Sequence, residues 1–182
     1  MLNPRRAGRP GPAGRSGDRL FKHILTTLDG SKYAERALRY ARDFAKTHQS
    51  KIHLVAVITP VDAPGGGRDA AFEESRRELW TEYLEARAAE LREAGATDVT
   101  IETREGEPAA EITDLARDVS ADLIVMSTHG LGASGRHALG SVALKVLMTA
   151  PCPVLMVRIL EVEPPRSRAE ERWQDEGGAN VG

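Results

Sequence analysis

"DLIVMSTHGLGASGRHALGSVALK", Asp122 to Lys145, decides how this chain folds. It opens as a short apolar run of strand length, passes through a glycine-rich segment, and resumes with apolar residues at helical spacing. Strand, loop and helix in that order form the unit of a parallel α/β sheet. The loop itself admits three phosphate-binding frames. Gly130, Gly132 and Gly135 spell the G-x-G-x-x-G of a dinucleotide-binding turn. Gly135 to Ser141 spells a Walker-type loop with Ser141 where the lysine belongs. Gly130, nine residues, then Gly140-Ser141 makes a wider third frame.

The same unit recurs on both sides of this stretch. Upstream, "FKHILTTL" (Phe21–Leu28) is a strand, stopped by Asp29-Gly30-Ser31. A helix follows with Ala34, Ala37, Leu38, Ala41 and Ala45 on one face. "KIHLVAVI" (Lys51–Ile58) is the second strand. A loop and a long helix over 70–94 come next, the helix carrying Leu79, Tyr83, Leu84, Ala88 and Leu91 and ending at Gly95. "DVTIETR" is strand three, followed by a helix opened by Pro108. Downstream, "SVALKVLMTA" is a helix and "PVLMVR" (153–158) is strand five. Near-continuous apolar strands alternating with helices predict a three-layer α/β/α sandwich around a five-stranded, parallel, doubly wound sheet. The expected strand order is 3-2-1-4-5. Winding then reverses between strands 1 and 4, where open sheets of this kind bind ligands beyond the strands' carboxyl ends. Asp29 and the 127–130 segment, a hundred residues apart, should therefore meet across one crevice.

That topology discriminates among the three frames. A dinucleotide turn belongs after the first strand with an acid about 20 residues on; here it follows the fourth, and Leu155 stands at the acid's position. The Walker frame lacks the lysine that reaches the β/γ-phosphates, and Lys145 comes too late. The wide frame fits. Its loop arches over the crevice, and Gly140-Ser141 opens a helix whose free N–H groups and positive dipole end point at the ligand. The competing reading is a glycine-rich loop before an ordinary capped helix.

Composition sets the bounds. The chain has 182 residues and a formal net charge of −2, so one domain with tails is expected, with no general attraction to nucleic acid. No stretch reaches the ~18 apolar residues of a membrane helix, and the reading is cytoplasmic, without a membrane partner. The single cysteine, Cys152, excludes an intramolecular disulfide framework and reads as a small buried residue. Residues 1–19 carry five Arg against one Asp, and residues 161–182 carry six acids against three Arg. Both lack side chains to bury and are expected to be disordered, flanking a domain over 20–160.

Three blocks carry a resemblance: "ILTTLDGSKYAERAL" at the first strand, "ADLIVMSTHG" at the fourth, and "GSVALKVLMTAPCPVLMVR" at the end. With Ser127-Thr128-His129-Gly130, nine residues, and Gly140-Ser141 between them, the chain resembles the universal stress protein family over residues 20–160. The signature of that family's nucleotide-binding members is G-x-x-G, nine residues, G-[ST]. The resemblance implies an ATP site, with Mg2+ accompanying the nucleotide. Asp29 would approach ribose and phosphate, with Thr27 beside it. Val57 and Met126 would contact adenine. Ser127, Gly130, Gly140, Ser141 and Val142 would hold the phosphates, largely through backbone N–H groups. Ser127 departs from the signature, which has glycine there; a left-handed backbone at that point would weaken the site. The resemblance further implies a homodimer through strand 5, whose apolar edge invites pairing.

The functional expectation is a nucleotide-dependent sensor or regulator of the stress response, with an unidentified protein partner. A slow ATPase or autokinase is the alternative enzymatic reading, although no motif places a general base. A nucleotide-free dimeric interaction module is the other. His129 and His137 read as turn or surface residues, with an approach of His129 to phosphate as the functional alternative; Arg136 is a candidate to screen phosphate charge. His23 and His53 read as structural histidines on strands. "EESRRELWTEYLEAR" reads as a solvated helix face with intrahelical ion pairs. No metal cluster is expected.

Overall fold

The apolar residues of the central strands alternate between two buried faces, which requires helices on both sides of the sheet. The computed structural model describes residues 21–61, 67, 69–130 and 139–158. The two charged tails, and Gly132, Gly135, Arg136 and His137 of the loop, lie outside the described residues. Nine elements follow one another: β1 (His23–Thr27), α1 (Lys32–His48), β2 (Lys51–Ile58), α2 (Ala70–Glu93), β3 (Val99–Glu105), α3 (Pro108–Asp118), β4 (Leu123–Ser127), α4 (Ser141–Thr149) and β5 (Val154–Val157). The strands pair in the order β3-β2-β1-β4-β5, all parallel, as the alternation predicts. Ile24 stands opposite Ile52 on β2 and Leu123 on β4, which fixes the register at the centre.

One face of the sheet buries Ile24, Ile52, Leu54 and Val125 against Ala34, Ala37, Leu38 and Ala41 of α1 and Leu84, Ala88 and Leu91 of α2. The alanines let α1 sit low over β1 and β4. The other face buries Leu25, Val55, Ile124 and Met126 under Ile112 and Leu115 of α3 and Ala143 and Val146 of α4. The result is the three-layer α/β/α sandwich.

Local chemistry sets where the helices begin and end. The Ser31 hydroxyl accepts from the Ala34 N–H (3.1 Å) and caps α1. Asp69 caps α2 through the Ala71 N–H (2.9 Å), and Glu107 caps α3 through the Ala110 N–H (2.8 Å). At the end of α2, Gly95 takes φ +94°. Its N–H donates to the Arg92 carbonyl and that of Ala96 to the Leu91 carbonyl, both at 2.9 Å. That 5→2 and 6→1 pair is a Schellman motif.

Two details differ from the sequence reading. β1 starts at His23, not Phe21, because Phe21 is left-handed (φ 60°) and stands edge-on to Phe44 at 5.5 Å. The Asp122 carboxylate, accepting from the Lys22 and His23 N–H groups, ties the start of β1 to the residue before β4. On α2, Leu79 is not a core residue: it is 66% exposed. Leu79 lies five residues before Leu84, roughly 140° around the helix from it, whereas Trp80 lies four before and falls on the buried stripe. Trp80 packs on the core in its place.

Candidate functional site

β1 and β4 are neighbours and end at the same level, so the chain leaving each one turns into the same space. After β1 the backbone runs through Asp29 and Gly30. Gly30 adopts φ +78°, a turn that favours glycine, and delivers the chain into α1. Asp29 Oδ1 accepts from the Ser31 N–H at 3.0 Å, which fixes its side chain against the turn. After β4 come Thr128, His129 and Gly130. A Cβ on Gly130 would run into Oδ2 of Asp29 and lie 3.3 Å from its Cγ. Gly130 is not left-handed, so its lack of a side chain answers to the carboxylate and not to a tight turn. The crevice expected between these segments is formed.

The loop that follows is closed at its base. The Gly140 N–H donates to the Thr128 carbonyl at 2.9 Å, and the Thr128 N–H donates to Val157 on β5 at 3.0 Å. A Cβ on Gly140 would lie 3.3 Å from the same Thr128 carbonyl. Gly140 is the N-cap of α4 and offers no side-chain hydrogen bond to the helix's first N–H groups. Those donors sit at the positive end of the helix dipole beside the crevice. Ser127, at the end of β4, is 8% exposed and not left-handed, so serine incurs no backbone strain at that position.

A cavity of about 410 Å³ occupies this space. Thr27, Asp29, Val57, Met126, Ser127, Gly130, Gly140, Ser141 and Val142 all line it, so the structure brings together the nine residues singled out in the sequence. His129 joins them. Its Nδ1 lies 2.8 Å from the Thr128 hydroxyl and its ring 6.1 Å from that of Tyr33, while its buried Nε2 has no hydrogen-bond partner among the described residues. His129 is thus a cavity residue, where a turn or surface role was expected. Lys145 is not at the cavity; its Nζ donates to Glu107 at 2.9 Å, which links α4 to the cap of α3 and holds the Glu107 carboxyl below the usual range.

The far wall was not read from the sequence. Thr59 and Val61, beyond β2, and Arg76 and Trp80 of α2 line the cavity too, as do Pro108 and Ile112 of α3. Arg76 Nη2 donates to the Thr59 carbonyl at 3.0 Å. These two α2 residues lie inside "EESRRELWTEYLEAR", which is therefore more than a solvated face. Its ion pairs are partly intrahelical, as with Arg77–Glu74, but Arg77 also reaches Glu105 on β3 and Arg87 reaches Glu35 on α1. The spacing of residues 80, 84, 88 and 91 is the signal that would have found Trp80.

The other singled-out residues lie elsewhere. His23 and His53 approach each other at 6.0 Å near the starts of their strands. Burial pushes both imidazoles below their ordinary pKa; for His53 the Glu102 carboxylate opposes this. His53 Nδ1 lies 3.2 Å from the Thr100 hydroxyl, but His23 Nε2 is buried without a partner among the described residues. Cys152 is half-buried, and burial pushes its thiol up, away from reactive thiolate chemistry. Among the described residues no group of three or more His, Cys, Asp or Glu could hold a metal ion, and no helix is long and apolar enough to cross a membrane.

Comparison with known proteins gives a consistent result. Residues 20–158 match the model of the universal stress protein family. A universal stress protein of Thermus aquaticus is 38% identical over 139 residues, covering 76% of this chain and 100% of that protein. Among solved structures, the universal stress protein UspA from Lactobacillus plantarum superposes with a TM-score of 0.65 at 26% identity, covering 78% of this chain and 100% of that one. A universal stress protein from Archaeoglobus fulgidus, solved in complex with dAMP, gives a TM-score of 0.55 at 26% identity, covering 75% and 98%.

Proposed function

The chain belongs to the universal stress protein family, and we propose that it is an ATP-binding member acting as a nucleotide-dependent sensor or regulator. One observation carries this reading. Asp29, Gly130, Gly140 and Ser141 converge on one cavity at the sheet's switch point, beside a helix N-terminus that has no side-chain cap. A triphosphate laid there receives the first N–H groups of α4 and the Ser141 hydroxyl. Gly130 lets the Asp29 carboxylate close up beside the loop, and Gly140 lets the backbone before α4 approach the Thr128 carbonyl. Mg2+ accompanies the triphosphate and offsets the proximity of the Asp29 carboxylate. Val57 and Met126 offer apolar surface to the base. The dAMP complex of the Archaeoglobus fulgidus relative supports an adenine nucleotide as the class of ligand.

The same reading assigns the protein a homodimer through the outer edge of β5, residues 153–158. Val154, Leu155 and Met156 are only half-buried there, and Leu144, Leu147 and Met148 of the neighbouring α4 are exposed. The direct test is the nucleotide content of the gently purified protein, read by denaturing extraction and mass spectrometry. ATP at near one per chain is the expected result. Protein that is nucleotide-free and fails to take up added MgATP would favour a nucleotide-free interaction module.

A further inference from the structure

The cavity has a second end that no signature position explains. Trp80 enters it from α2, which covers β2 and β3 on one face of the sheet, whereas Gly130, Gly140 and Ser141 line it from the end of β4 and the start of α4, on the other side of β1. We infer that Trp80 is the base-recognition wall of this site, making it selective for purine over pyrimidine nucleotides; the inference rests on the nucleotide reading above.

Three observations support it. First, Trp80 is the largest aromatic side chain in the lining, and it is only half-buried. An indole left partly open at a cavity wall offers a flat apolar surface, and a base supplies the matching one. Second, the ring is held before any ligand arrives. It stands edge-on to Tyr83 at 5.6 Å and 87°. The Tyr83 hydroxyl donates to Glu35 at 3.2 Å, and Arg87 lies over the Tyr83 ring at 5.7 Å while pairing with the same Glu35. The benzo edge of Trp80 comes within 3.4 Å of where a Gly30 Cβ would stand. That is ordinary contact distance, so the indole lies against the β1–α1 turn, while Gly30 is glycine for its backbone alone. Third, Arg76, one turn earlier, is latched to the Thr59 carbonyl, which holds α2 against the end of β2. A rigid platform loses little freedom on binding.

The geometry then matches the two halves of a nucleotide. The triphosphate faces backbone donors at the β4–α4 end, and the base lies toward Val57, Val61 and Trp80 at the β2–α2 end. Purines present more ring area to an indole than pyrimidines do, so the preference follows from overlap rather than hydrogen bonding.

The test compares ATP, GTP, CTP and inorganic tripolyphosphate by calorimetry on the full chain, with Trp80→Leu and Trp80→Phe. Leucine keeps apolar bulk without an aromatic face. Wild type should bind ATP and GTP about tenfold tighter than CTP, and Trp80→Leu should erase that ratio while leaving tripolyphosphate unchanged; Trp80→Phe should retain most of it. In a Trp173→Phe chain, Trp80 is the one tryptophan left, and its fluorescence should be quenched by ATP and not by tripolyphosphate. An equal loss for all four ligands would make Trp80 a mere support for Gly30 and Asp29 and overturn the proposal. Unchanged ATP affinity in Trp80→Leu would overturn it too. Wild type that binds tripolyphosphate but shows no preference among bases refutes this inference alone; wild type that binds none of the four refutes the nucleotide reading with it.

Discussion

The carboxylate of Asp29 fills the space that a side chain on Gly130 would need. Residues a hundred positions apart in the chain are thus fitted to each other at the one place where the sheet reverses its winding. Gly130→Ala should force Asp29 aside and destabilise the fold by about 1–3 kcal/mol, the usual range for overpacking a tight contact. In an Asp29→Ala background the same substitution should cost much less. Urea melts of the four proteins give the coupling, and simple additivity would show that the two residues do not touch in solution.

Gly95 offers a test of the helix boundary. At φ +94° an L-residue is strained, and the added Cβ would meet only the flexible end of Lys46, at 3.1 Å. Gly95→Ala should therefore lower stability by about 1–2 kcal/mol through the backbone alone. A neutral result would mean that α2 does not end in a Schellman motif.

Acid should unsettle the sheet through its two strand histidines. His23 and His53 have folded pKa values below their unfolded value near 6.5. The unfolded chain then binds protons more readily. The stability these residues contribute is complete above about pH 6.5 and is lost as pH falls through the folded values. Melting temperature should drop between pH 7.5 and pH 5.5, and His23→Gln/His53→Gln should flatten that drop. An equal drop in the double variant would place the acid sensitivity elsewhere.

The edge of β5 tests the proposed assembly. Met156→Lys puts a charge where strand would pair with strand. Light scattering should report a dimer for wild type and a monomer for the variant. A persistent dimer would move the interface off β5.

Much of this molecule was legible in its sequence, and the reasons are physical. Strands buried on both faces must be apolar throughout, so "KIHLVAVI" and "DLIVMS" could be read almost to the residue. Pro108 in the first turn of α3 and Gly95 after α2 carry chemistry that only helix ends need. Topology then places Asp29 beside Gly130 without any knowledge of side-chain packing. The reasons for the glycines were harder to see. Gly130 was read as a residue holding phosphate, yet its lack of a side chain answers to a carboxylate distant in sequence. Trp80 was hidden for another reason: it lies in a charged run on α2, and Leu79 beside it drew the apolar reading. Only the spacing to Leu84, Ala88 and Leu91 separates the two. His129 was undervalued because a loop histidine shows nothing in sequence of the cavity it borders.

The central claim is that phosphates lie against the N-terminus of α4. Calorimetric titration of wild type, Gly140→Val and Ser141→Ala with MgATP measures it directly. Valine at 140 would set a branched side chain against the Thr128 carbonyl at the N-terminus of α4, and should abolish binding while circular dichroism remains that of the folded chain. Ser141→Ala removes one hydrogen bond to a charged group, worth about 1.5–3 kcal/mol, and should weaken binding about tenfold to hundredfold. Wild-type affinity in both variants would put the phosphates elsewhere and contradict the account.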